Sequence, residues 1–235
     1  MFMSGIPKPT SPLDDGDPPY LYPDYQSTPK RAPRQPLVAL TRGSAEESLV
    51  DFTRIGIIET DADLTACGAG APLGERIVIC GRVIDEDQRP VRDSLIELWQ
   101  CNAAGRYTHA RDNHDVPLDP NFPGFGKTLT NAAGEFRFVT IKPGAYPWGN
   151  HSNAWRPAHV HFSLFGTIYS QRLITQMFFP GDPLLALDPI FQSVPAHARD
   201  RLIANFSLQH TVEGFALGYR FDIVLRGRAA TPGGL

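Results

Sequence analysis

The stretch Tyr146-Pro-Trp-Gly-Asn-His-Ser-Asn-Ala-Trp-Arg-Pro-Ala-His159-Val-His161-Phe-Ser-Leu-Phe165 decides how the chain reads. A strand repeats its side-chain direction every two residues, so an extended run from His159 turns both imidazoles to one face and Val160 and Phe162 to the other. Pro157 biases Arg156 towards extended backbone, and Phe162 and Phe165 favour a strand. Two imidazoles then converge on one point. A bare His-x-His occurs in ordinary strands, in zinc sites and in cupin-type iron sites. The phenol of Tyr146 narrows the choice. A free phenol titrates near about 10, and holding it deprotonated at neutral pH takes a strongly Lewis-acidic cation. Zinc takes Cys, His and carboxylate, whereas open ferrous oxygenase sites take two histidines and one carboxylate. Phenolate donors beside two imidazoles point to ferric iron.

Outward from this stretch the chain is a series of short β-type runs. Residues 77–84 and 95–100 are apolar and β-rich, separated at hairpin distance by the polar turn Asp85-Glu-Asp-Gln-Arg-Pro90. Further strands are expected at 135–141, 158–165, 172–179 and 219–226. In the last of these Tyr219, Phe221, Ile223 and Leu225 share one face. Residues 196–205 are the best helical candidate. Many short strands and little helix predict a mostly β fold, a β-sandwich core rather than α/β. Long Gly-, Pro- and Asn-rich connections at 107–125 and 142–157 are expected to be functional loops.

Residues 1–36 hold nine of the 22 prolines and cannot form a core of their own, so they are expected to be disordered or draped over something else. Tyr20, Tyr22 and Tyr25 would anchor such an arm, and Lys30, Arg31 and Arg34 would face a partner subunit or steer an anionic substrate. The expected organisation is an N-terminal arm and connecting segment over 1–75, making subunit contact, and a catalytic β-sandwich domain over 76–235. A net charge of −3 offers no basic field for nucleic acid. No apolar run reaches the roughly 18 residues of a membrane span. No secretory signal is visible at the start, and three cysteines without CxxC spacing suit unpaired, small and buried thiols in a reducing compartment. A cytoplasmic location is expected.

The run Ile79-Cys-Gly81-Arg-Val through Ile96-Glu-Leu-Trp-Gln-Cys-Asn-Ala-Ala-Gly105-Arg-Tyr107 resembles the signature of the intradiol ring-cleavage dioxygenases. Tyr146-Pro-Trp and Arg156-Pro-Ala-His159-Val-His161-Phe follow in the order that family uses, and the resemblance covers roughly residues 76–227. Pro23-Asp-Tyr25, Pro33-Arg-Gln-Pro-Leu37 and Pro117-Leu-Asp-Pro-Asn-Phe122 extend it towards the iron-bearing β subunits of the branch that cleaves 3,4-dihydroxybenzoate. The catechol and hydroxyquinol members share only the core. One departure is Gln88, where the family has a small residue in the turn; glycine there would supply a positive φ.

This resemblance implies a non-haem Fe(III) cofactor held by Tyr107, Tyr146, His159 and His161, with hydroxide completing the set. It implies O2-dependent cleavage of a small aromatic diol to 3-carboxy-cis,cis-muconate, with Tyr146 the ligand that leaves to accept a substrate proton and Tyr107 the one retained. Arg156 would stabilise negative charge on the substrate. Trp148 and Gln176 would line the pocket, and Tyr25 would meet the substrate carboxylate. The implied partner is an α subunit of the same enzyme, in a hetero-oligomer of αβ units. No motif recruits His109, His114, His151, His197 or His210.

Overall fold

The apolar β-type runs between Arg76 and Val224 fold as strands, and what separates them is proline, glycine and side-chain capping. The computed structural model describes residues 16–35, 51–150, 152, 155–166 and 172–234; the apolar run at 37–40 and His151 lie outside them. One turn of helix, α1 (Thr28–Arg31), opens the described chain. Then come β1 (Arg76–Ile84), β2 (Leu95–Trp99), β3 (Phe125–Leu129), β4 (Glu135–Ile141), β5 (Tyr146–Pro147), β6 (Trp155–Arg156), β7 (His159–Phe165) and β8 (Arg172–Phe178). A short α2 (Pro189–Ser193) precedes β9 (Asn205–Phe206), β10 (Leu217–Arg220) and β11 (Ile223–Val224).

Two sheets carry the fold. β1 pairs antiparallel with β4 on one side and, on its other side, parallel with β10 and then β11, while β9 extends β10. The second sheet, in the order β3-β2-β7-β8, is antiparallel throughout. Their inner faces meet over Ile77, Ile79, Leu98, Phe138 and Phe162, all fully buried. Phe138 of β4 meets Phe162 of β7 edge-on at 6.3 Å, bridging the sheets. Truncating such a ring to alanine costs about 3–5 kcal/mol in a close-packed core. The expected β-sandwich stands.

Several local expectations are corrected. The runs around 77–84 and 95–100 are not hairpin partners: after Val91 donates back to Val83 O, Asp93 adopts φ 55° and the chain crosses to the other sheet. Residues 219–226 are two strands, because the Asp222 carboxylate accepts the Arg82 N–H and interrupts the ladder. Gly81 permits that crossing, since a Cβ there would stand 1.9 Å from Phe221 O. The four apolar residues named on that run still face the core. The helical candidate at 196–205 is a 3₁₀ segment, Ala196–Leu202, cut short where Ile203 bridges to Phe178. The real α-helix lies just upstream, begun by Asp188-Pro189. β3 begins at the end of the expected loop 107–125, in a stretch where no strand was expected, and the β5–β6 pair lies inside the expected loop 142–157. Of the three thiols, all free, Cys67 is exposed rather than buried.

The described arm residues drape. The Thr28 hydroxyl, fully buried, accepts Tyr22 N and lies within 3.0 Å of both Tyr22 O and Tyr25 O, its one proton serving either carbonyl, and Tyr25 packs edge-on against Trp148 at 5.3 Å. Gln26 N donates to Asn150 O, and Asn150 Nδ2 to Ser27 Oγ, tying the arm to the connection that carries Tyr146.

Candidate metal centre

β7 is an inner strand of its sheet, and its alternation sends Val160 and Phe162 into the core and His159 and His161 to the opposite face. The two Nε2 atoms face each other at 3.2 Å. Pro157 O can only accept, so its 2.7 Å contact places the His159 proton on Nδ1 and leaves Nε2 bare. The His161 ring stacks on Trp99 of β2, planes 2° apart and centroids at 4.9 Å. Register explains this, because Trp99 is the direct cross-strand partner of His161.

The phenols arrive on connections. Asn102 folds the turn after β2 by accepting Ala104 N and Arg106 N through Oδ1. Gly105 then takes φ 85°, where an added Cβ would lie 2.3 Å from Ala145 O. That approach needs glycine, and it brings the two connections together. Beyond it, Tyr107 is held by its N–H donating to the Asp112 carboxylate at 2.7 Å. Its hydroxyl lies 3.1 Å from His161 Nε2. Tyr146, on β5, lies 3.4 Å from His159 Nε2, and the two phenol rings meet edge-on at 5.4 Å.

Arg156 sits opposite Tyr146 in the β5–β6 pair and is buried. Nη1 faces His159 Nε2 at 3.0 Å and donates to Tyr146 Oη at 3.4 Å. Nη2 donates to Gln176 Oε1 at 2.7 Å, and Gln176 is itself the β8 neighbour of His161. The Trp148 ring lies 5.3 Å from the guanidinium carbon. The structure thus gathers Tyr107, Tyr146, His159, His161, Arg156 and Gln176 directly, with Trp148 against Arg156 and Tyr25 one layer further out, against Trp148. His109 and His114 stay apart: His109 Nδ1 accepts from Arg111 N, and His114 Nδ1 meets Gly105 O. Sequence reading missed Trp99, Asp182, which accepts the Ala158 N–H at 3.0 Å, and Asp188, which pairs with Arg156. Only the Asp188-Pro189 helix start was a signal, and it says nothing of Arg156.

The electrostatics disfavour a second proton on either imidazole and charge on the phenols. Burial, then the Arg156 cation, drives the His159 pKa far down, and the same two causes take His161 to about 3. Burial lifts Tyr107 well above the phenol range, with Tyr146 adding to the rise; it lifts Tyr146 too, against the opposing pull of Arg156. Burial alone would lower Arg156, but Asp188 and Tyr146 reverse that and raise it. His159 Nε2, bare, faces His161 Nε2 at 3.2 Å with both phenol oxygens close by. A multiply charged cation among these four groups would take up the nitrogen lone pairs and would hold phenolate in a buried place. Among the described residues no group of three His, Cys, Asp or Glu is placed to hold a metal, and the oxygens that stand against the imidazole pair are those of Tyr107 and Tyr146.

Comparisons with known proteins bear on the family of the chain. A family model described as "Dioxygenase" matches residues 51–227, and one described as "Protocatechuate 3,4-dioxygenase beta subunit N terminal" matches residues 14–42. The protocatechuate 3,4-dioxygenase beta chain of Burkholderia cepacia is 59% identical over 92% of this chain and 92% of its own length. The protocatechuate 3,4-dioxygenase alpha chain of Pseudomonas putida is 33% identical over 67% of this chain and 75% of its own. Among solved structures, 3-chlorocatechol 1,2-dioxygenase from Rhodococcus opacus 1CP has a similar fold, with TM-score 0.55 at 23% identity, over 71% of this chain and 65% of that one.

Proposed function

Because this chain belongs to the intradiol ring-cleavage dioxygenases, we propose that it is the iron-bearing β chain of a protocatechuate 3,4-dioxygenase. It cleaves 3,4-dihydroxybenzoate with O2, between the two hydroxylated carbons, to 3-carboxy-cis,cis-muconate. The observation that carries the reading is the convergence of Tyr107, Tyr146, His159 and His161, linked by contacts of 3.1, 3.2 and 3.4 Å. The far higher identity to a beta chain than to an alpha chain supports the catalytic assignment.

The donor set suits Fe(III). Two phenolates and one hydroxide balance three positive charges, so no net charge is buried. Held by Tyr107, Tyr146, His159 and His161, ferric iron would supply Lewis acidity towards the aromatic diol and would make its ring reactive towards dioxygen. The chain's own groups do the rest. Tyr146 Oη accepts a substrate proton, and its contact with Arg156 Nη1 gives the displaced phenol a waiting partner. Tyr107, whose oxygen lies against His161 Nε2, stays in place. Arg156 directs N–H groups at charge that develops on the substrate. Gln176 holds Arg156, Trp148 walls the pocket, and Tyr25 meets the substrate carboxylate from the arm side.

The same reading assigns residues 1–75 to an arm and connecting segment that contacts an α subunit, and 76–235 to the catalytic domain. The assembly is a hetero-oligomer of αβ units in the cytoplasm. Among the described residues no helix is long and apolar enough to cross a membrane. Visible absorption and EPR spectra of the purified protein test the proposal, before and after anaerobic 3,4-dihydroxybenzoate, with catechol for comparison. A red-brown band with a high-spin ferric signal that responds to 3,4-dihydroxybenzoate is expected. A folded protein that stays colourless after iron loading beside its partner chain would sink it.

A further inference from the structure

Asp188 has no part in the chemistry above, yet it is fully buried beside it. Its carboxylate accepts Arg156 Nε at 3.2 Å through Oδ1 and Nη2 at 3.0 Å through Oδ2. Oδ2 also accepts the Phe191 N–H at 3.4 Å, which fixes the acid at the start of α2. Gln176 Oε1 takes Nη2 at 2.7 Å. A guanidinium has five N–H donors, one on Nε and two on each Nη. Three are therefore held on the protein side, by Asp188 and Gln176. The two on Nη1 are aimed at Tyr146 Oη and His159 Nε2. Asp182, on the same connection, holds the backbone of the same segment by accepting the Ala158 N–H.

We propose that Asp188 is a positioning residue of the active site, acting through Arg156. It locks the guanidinium so that only its Nη1 edge enters the pocket, and its carboxylate offsets part of the guanidinium's charge. The pocket then meets a pair of oriented donors whose positive field is weakened but not removed. This rests on the ring-cleavage reading. Removing Asp188 alone leaves a buried cation that is both free to turn and uncompensated.

The test uses the assembled, iron-loaded protein with the variants D188N, R156M and the double variant. D188N keeps the acid's shape and loses its charge. Its kcat on 3,4-dihydroxybenzoate is expected to fall about 10- to 100-fold, with KM within about threefold of wild type, because orientation matters most where charge develops. In the R156M background the same change should cost less than about threefold, and the thermal midpoint of the double variant should lie above the sum of the single losses. Should D188N fail to assemble, D188E, which keeps the charge one methylene further out, is expected to give the kcat loss at normal iron content. Wild-type kcat in D188N or D188E overturns the proposal, as does an equal loss from D188N with and without Arg156. A wild-type protein that leaves 3,4-dihydroxybenzoate unchanged sinks the ring-cleavage reading instead. The thermal cycle then still decides the lock, with additive losses counting against it.

Discussion

His159 and His161 stand on a strand that is paired on both sides, whereas Tyr107 stands on a connection and Tyr146 on the two-residue strand β5 within one. A ladder fixes the imidazoles: the direct partner of His161 is Trp99 on one side and Gln176 on the other. The phenols depend on a single Asp112 contact, a two-residue strand pair, and the approach of Gly105 to Ala145. Donors on a ladder cannot move without breaking the sheet, while donors on connections can move by local torsion. That division is what the proposed function needs, in which two imidazoles would anchor the metal and one phenol would leave and return.

The largest test is against the ladder. His161→Ala is expected to lose the iron and at least about 1,000-fold in activity, since even loss of an outer partner of a ligand costs 10- to 100-fold. Iron content and turnover of the assembled protein measure it. Full iron retention would mean that the strand pair is not the anchor.

Next come the two phenols. Tyr146→Phe is expected to keep its iron and lose about 100-fold in activity, the scale of a missing proton acceptor. Its tyrosinate absorption should no longer drop when substrate is added without oxygen. In Tyr107→Phe that drop should persist. The reverse pattern would exchange the two roles.

Much of this was legible because it is local. Period-two alternation gives the direction of His159 and His161, and Pro157 gives the extended entry. The core-facing set Tyr219, Phe221, Ile223 and Leu225 follows from the same rule. What escaped is non-local. Whether 77–84 pairs with 95–100 depends on Asp93 taking a left-handed conformation, which no alternation announces. Trp99 meets His161 only through register, and Asp188 meets Arg156 across 32 residues of chain. The split at Asp222 is a side chain taking over a backbone acceptor's role.

A smaller effect should appear in stability against pH. Folded His161 titrates near 3, against about 6.5 for a free imidazole. Below pH 6.5 the unfolded chain therefore binds more protons than the folded one, so stability falls as pH drops through the window from about 6.5 to about 3 and is complete above it. The slope is at most about 1.4 kcal/mol per pH unit for each such histidine. His159 shifts in the same direction and steepens the fall. Urea unfolding of the iron-free protein between pH 7.5 and 4.5 measures this, and His161→Gln should flatten it. A flat profile in the unsubstituted chain would mean that the imidazoles are not held neutral.

The smallest effect belongs to a connection that carries no donor. Gln88 sits in the turn after β1 with φ 64°, the conformation a glycine would adopt there without strain. The turn tolerates it because Asp85 Oδ1 accepts both Asp87 N and Arg89 N at 2.9 Å, and Gln88 N closes onto Asp85 O. A left-handed non-glycine residue costs about 1–2 kcal/mol, and glycine's greater unfolded-state freedom returns about half of that. Gln88→Gly should therefore stabilise the protein by about 0.5–1 kcal/mol, or about 1–4 °C in thermal midpoint for a chain of this size. Activity should not change, because the relaxed turn leads to β2 through Asp93 and stops short of Trp99. A gain in stability accompanied by a loss of turnover would show that strain in this turn reaches the His161 stack, and that ladder and connections are not independent after all.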